Sequence, residues 1–197
     1  MISRRDDPVW STFCAAAEKN GMKKTFTILH TNDMHSAVIG MGPASDYTPF
    51  TLNDDKTRGG YARLAGLIAQ RQEARKNAGP VLVLDAGDYS MGTAFGAASR
   101  ETGGELQLMS RMGYDATTFG NHDFDLGPDG LGKSIGVASK AGRVPAILAS
   151  NTNIAGTDAT LADLQRLAKD GVVRRHLVIS FAKGAGGPAQ CDRQSRR

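Results

Sequence analysis

The feature that most constrains this chain is Val81-Leu82-Val83-Leu84-Asp85, an apolar run without alternation that ends on a carboxylate and opens into Ala86-Gly87-Asp88. A strand with one face in water alternates apolar and polar residues, so an unbroken run belongs to a strand covered on both faces, as in parallel sheets. Parallel neighbours need crossover connections, and the rest of the chain offers them. Residues 26–30 (FTILH) predict a strand running into the polar stretch TNDMHS. Tyr61, Leu64, Ala65 and Ile68 fall at helical spacing among Arg63, Gln70, Glu73 and Lys76, predicting an amphipathic helix over 61–77 stopped near Gly79-Pro80. A helix over 105–112 ended by Gly113, a strand over 116–119, a helix over 128–140, a strand over 146–150, a helix over 161–169 and a strand over 172–180 continue the alternation.

Alternating strands and helices predict an α/β fold, a layered sheet flanked by helices and built from right-handed crossovers. In such folds ligands gather beyond the carboxyl ends of the strands. A chain of 197 residues suits one domain with a full core. The expected organisation is an unstructured extension over 1–24, the α/β domain over 25–180 and an unstructured basic tail over 181–197. Residues 36–60, rich in Gly, Pro, Asp and Asn, predict a long loop, a length uncommon without a function.

Net charge excludes one function class. The formal charge is +4, but residues 1–173 hold 18 Lys and Arg against 19 Asp and Glu. The surplus lies in Arg174, Arg175, Lys183, Arg193, Arg196 and Arg197 against Asp192. The expected folded part therefore lacks the basic excess of a nucleic-acid-binding surface. No stretch approaches the roughly 18 apolar residues of a membrane span. Cys14 and Cys191, near opposite ends, define no disulfide framework. No secretory signal is visible, and Met22 is an internal alternative start.

Three polar motifs sit at expected strand ends. In Asp33-Met34-His35 an extended backbone points the first and third side chains to one side, joining a carboxylate and an imidazole. That pair is half of a divalent-metal site; its plainer reading is a solvated turn with Asn32 and Asp33 capping. Asp88 follows Gly87 at the sheet edge, where a carboxylate can bridge two cations about 3.5–4 Å apart or simply cap a turn. Asp85 is expected to support this loop from behind. Gly120-Asn121-His122-Asp123-Phe124-Asp125 is the most specific motif. Asn121 offers a neutral ligand oxygen, His122 points elsewhere and is free to act on substrate, and Asp125 is spaced to hold the His122 ring and set its tautomer.

Through ILHTNDMH, GGYARL, LDAGD and GNHDFDLG, in this order over 25–151, the chain resembles the calcineurin-like metallophosphoesterases, and among them the 5'-nucleotidase and UDP-sugar hydrolase family. The resemblance implies a metallophosphoesterase domain with two divalent metal ions. Asp33 and His35 would hold one ion, Asp88 would bridge, Asn121 would hold the other, and His122 with Asp125 would form the catalytic pair. Zn, Mn, Fe and Co all suit such donors. It further implies hydrolysis of a small-molecule phosphoester, a nucleotide, to an alcohol and phosphate by an activated water, in the periplasm or outside the cell; without a visible signal the chain is expected in the cytoplasm if its start is as given, and a monomer is expected.

The likeness also exposes a gap. Relatives add two further histidines and a Gln or similar ligand, then a second domain that holds the nucleoside, whereas this chain's remaining histidines are His30 and His176. His176, between Arg175 and Leu177, reads as an exposed or satisfied histidine. The expectation is a domain incomplete at the C-terminus, a fragment from a frameshift or premature stop, with a weak second metal site and low or no activity. A noncatalytic metal- or phosphate-binding remnant is the alternative.

Overall fold

The computed structural model describes residues 13–19, 22–41 and 57–181. Residues 1–12, most of the loop expected over 36–60, and the tail from 182 onward lie outside the described residues. The chain runs β1 (Phe13–Lys19), β2 (Met22–Thr31), α1 (Tyr61–Arg75), β3 (Val81–Asp85), α2 (Ala94–Ser99), α3 (Gly104–Met112), β4 (Ala116–Thr118), α4 (Gly127–Ala141), β5 (Ala146–Leu148), α5 (Ala162–Lys169) and β6 (Val173–Arg174). One sheet holds the strands in sequence order; β1 is antiparallel to β2, and β2 to β6 are all parallel.

This order explains the layering. Right-handed crossovers between strands that step always in one direction place every helix on the same face. Accordingly α1 packs on α3, α3 on α4 and α4 on α5. The register carries the same division into the side chains: Leu29 pairs with Val83, Thr31 with Asp85, Thr117 with Ile147 and Ile147 with Val173, all on the helix side. Val83, Ile68, Leu106, Met109, Ile135, Ile147, Leu164 and Leu167 make the core there, each at most 1% exposed. Burying one such side chain contributes about 1.5–3 kcal/mol. On the opposite face Phe26, Ile28, His30, Leu84, Thr118, Ala146 and Leu148 are only half-buried.

Three elements differ from expectation. Residues 13–19 and 22–24 are not an unstructured extension but strand, with Lys19 paired to Met22. Asn20-Gly21, which lie outside the described residues, are a strong hairpin signal in the sequence that the apolar pattern alone overlooks. The strand expected over 172–180 ends at Arg174, because β5 stops at Leu148, its partner in register, and the Ala149 N–H to Arg174 carbonyl bond of 2.7 Å is the last rung. The short α2 was not expected; Thr93 caps it by accepting from the Gly96 N–H.

Candidate active site

The carboxyl ends of β2, β3 and β4 deliver three loops to one edge of the sheet. After β2 the chain stays laced to the chain after β3: the N–H groups of Asp33, His35 and Ser36 donate to the carbonyls of Gly87, Asp88 and Tyr89, each at 3.0 Å. Met34 plugs the first loop into the core, where the Tyr114 hydroxyl lies 3.4 Å from its sulfur and 2.9 Å from Thr31 Oγ1. Ser36, fully buried, donates to the Glu105 carboxylate at the start of α3.

Asp33 and His35 do converge, though not through an extended backbone. Asp33, His35 and Ser36 have φ of 53°, 45° and 50°, and Asp88 has 53°. The left-handed region costs an L-residue about 1–2 kcal/mol, and such strain concentrates at functional sites. Alternation in a strand would have reached the same convergence at no such cost; here a tight turn achieves it, fixed by the three bonds to the β3 loop.

The structure brings Asp33, His35 and Asp88 together, with one potential ligand atom of each within 4.8 Å of the others. His35 Nε2 lies 3.7 Å from Asp33 Oδ1. Among the described residues no Lys or Arg pairs with either carboxylate, so the donor set fits a divalent cation as counter-charge. Asp88 is buried and accepts the His122 N–H at 2.8 Å, which fastens the third loop beside it. Glycine makes this approach feasible: a Cβ on Gly120 would stand 2.1 Å from Asp88 Oδ1. Asp85 supports the loop as expected, accepting from Thr31, Thr117 and the Gly87 N–H, while burial pushes its carboxyl above the usual range.

Asn121 is exposed and immediately precedes a 3₁₀ turn, His122–Phe124. The His122 ring lies 5.2 Å from that of His35, edge to face, so it borders the three-residue cluster. Its Nδ1 is 2.8 Å from Asp125 Oδ2. That bond, then the Asp125 charge, raises the imidazole pKa above its ordinary 6.5. All six residues singled out from the sequence thus stand on two of three adjoining loops or on the turn after β4.

One residue of the site was missed. Asp123 is buried, and its two oxygens accept from four donors: the Asp88 N–H at 3.0 Å, the Gly120 N–H at 2.9 Å, and the Ser90 N–H and hydroxyl at 3.1 and 2.6 Å. Its only signal was a second carboxylate beside Asp125 inside GNHDFD, since backbone donors leave no mark in a sequence.

With this geometry the chain belongs to the calcineurin-like phosphoesterase family, whose model matches residues 26–172. Among curated relatives it is 40% identical over 105 residues to a 5'-nucleotidase of Bos taurus, covering 53% of this chain and 17% of that one. It is 41% identical over 125 residues to a snake venom 5'-nucleotidase of Gloydius brevicauda, covering 62% and 19%. The crystal structure of a 5'-nucleotidase precursor from Thermus thermophilus superposes with a TM-score of 0.54 at 26% identity, covering 82% of this chain and 28% of that one. The chain therefore spans less than a fifth of the length of these two curated relatives.

Proposed function

We propose that this chain carries the metal-binding half of a phosphoester hydrolase centre of the 5'-nucleotidase type, converting a nucleoside monophosphate to nucleoside and phosphate. The observation that supports it most is the Asp33, His35 and Asp88 cluster within 4.8 Å, bordered by the His122–Asp125 pair, in a calcineurin-like phosphoesterase domain. Asp33 and His35 would hold one divalent cation together with Asp88, and Asp88 with Asn121 would serve a second. When bound, such cations polarise the phosphoryl group and activate water for in-line attack.

The protein residues around them have separate tasks. Asp125, bonded to His122 Nδ1, fixes the ring and leaves Nε2 as the nitrogen available to a substrate. The raised pKa keeps a proton on that ring nearer to neutrality, where it can be donated toward the phosphoryl and leaving oxygens. Asp85 holds the Asp88 loop without touching substrate. No covalent phosphoenzyme is required. By likeness to the venom relatives the reaction belongs outside the cytoplasm.

The two cation positions are unequal. The described residues offer Asp33, His35 and Asp88 to the first but Asp88 and Asn121 to the second; His176 is exposed beyond β6 and His30 lies on the half-exposed sheet face. A site with so few ligands holds its ion weakly. Incubating the purified chain with 5'-AMP and Mn²⁺ tests this: slow, cation-dependent phosphate release lost in His122→Ala is the expected result. Rapid turnover would contradict the weak second position. Cation binding without turnover favours the noncatalytic alternative, and neither binding nor turnover removes the reading altogether.

A further inference from the structure

We propose that Asp123 is a positioning residue for the metal centre, the bolt that holds Asp88 and the Asn121-His122 turn in register; this rests on the reading of Asp33, His35 and Asp88 as cation ligands. The side chain joins two loops that share no strand pairing at this level. From the turn after β4 it reaches across to the loop after β3, where Oδ2 takes the Asp88 N–H and Oδ1 takes both donors of Ser90. The same Oδ2 takes the Gly120 N–H of its own loop. One buried carboxylate thus fixes Asp88 itself, Ser90 two residues beyond it, and Gly120, the residue before Asn121.

The competing tie shows why this matters. Among the described residues the other bond between these loops runs from the His122 N–H to Asp88 Oδ1, and it uses the carboxylate that the cation needs. Asp88 is also held at φ 53°, a conformation the backbone leaves once its restraints go. With Asp123 in place the loops are joined without calling on the Asp88 carboxylate alone. Without it, four donors lose their acceptor, and Asp88 must relax or act as the main tie. Groups that orient ligands through hydrogen bonds typically change metal affinity about 10- to 100-fold when removed.

The test compares two buried aspartates flanking β4. Asp115, at the opposite end of that strand, accepts the Val83 N–H at 2.9 Å and is as buried as Asp88, yet it lies at the far end of the strand from the cluster. Mn²⁺ affinity of the full chain is read from the free-ion electron paramagnetic resonance signal, and the unfolding midpoint is read in EDTA. Asp123→Ala is expected to weaken Mn²⁺ binding at least about tenfold. Asp115→Ala is expected to lower the midpoint while leaving Mn²⁺ affinity within about twofold.

Equal Mn²⁺ affinity in Asp123→Ala and the unsubstituted chain overturns the proposal, as does an equal loss in Asp115→Ala, which would mean that lost stability alone explains the effect. If Asp123→Ala shows no cooperative unfolding, Asp123→Asn decides. It keeps the shape but replaces one acceptor oxygen with a donor, so an intermediate loss of affinity supports the bolt and an unchanged affinity overturns it. Failure of the unsubstituted chain to bind Mn²⁺ at all removes the metal reading itself, an outcome visible before any variant is made.

Discussion

At Gly87 a side chain would face two penalties at once. Its φ of 99° is one that L-residues rarely adopt, and a Cβ there would lie 2.5 Å from the Gly120 nitrogen. The β3 and β4 loops therefore meet glycine against glycine, and that contact is what lets Asp88 reach the His122 N–H. Gly87→Ala is expected to destabilise the chain by about 1–3 kcal/mol and to weaken Mn²⁺ binding, measured by chemical denaturation and calorimetry. A loss of stability without loss of binding would show that the loops tolerate displacement. At this scale the grouping of Asp33, His35 and Asp88 and the pairing of His122 with Asp125 were legible in the sequence, because each is a polar side chain in a loop that follows an apolar strand. The left-handed backbones of Asp33, His35 and Asp88 and the four-donor grip of Asp123 were not, since both depend on how separate loops approach one another.

Elements divide in the same way. The helices over Tyr61–Arg75 and Gly127–Ala141 and the strand Val81–Asp85 lie within two residues of their expected bounds, because apolar periodicity is a local property. The end of β6 is not local: it depends on where β5 stops. Nor was α2, six residues whose stability rests on the Thr93 cap and on packing against α3. Within this framework Ile147, fully buried at the centre of β5, is a measure of core packing; Ile147→Ala is expected to cost about 2–5 kcal/mol in denaturant unfolding. Asp115 gives a pH-dependent check. Burial raises its carboxyl above 3.8 in the folded state, against the Val83 N–H and Arg143, which lower it. The unfolded chain then ionises first, so this group's contribution to stability is largest at low pH and falls as pH rises toward the folded value. Asp115→Asn keeps an oxygen for Val83 and carries no charge. Its stability relative to the unsubstituted chain should therefore improve as pH rises above the ordinary aspartate value of about 4, as followed by thermal melts; a relative decline as pH rises would contradict the assigned cause.

The described residues form a sheet of five parallel strands edged by the antiparallel β1, with helices packed along one face and the Asp33, His35 and Asp88 cluster at the carboxyl edge of three adjacent strands. The expected α/β layering was visible because a continuous apolar strand and alternating helices leave few topologies. That every helix falls on one side follows from strand order, which no local pattern specifies. Function at this scale rests on whether three loops, brought together by Gly87, Gly120, Met34 and Asp123, bind a divalent ion. The direct test is a Mn²⁺ titration of the full chain by calorimetry, repeated on Asp88→Asn. The expected result is one dominant site, with the melting transition raised by cation as mass action requires, about 2.7 kcal/mol at a hundredfold excess over Kd, and both effects lost in Asp88→Asn. No cation-dependent stabilisation, or stabilisation that survives Asp88→Asn, would contradict the assignment of Asp33, His35 and Asp88 as the metal-binding centre.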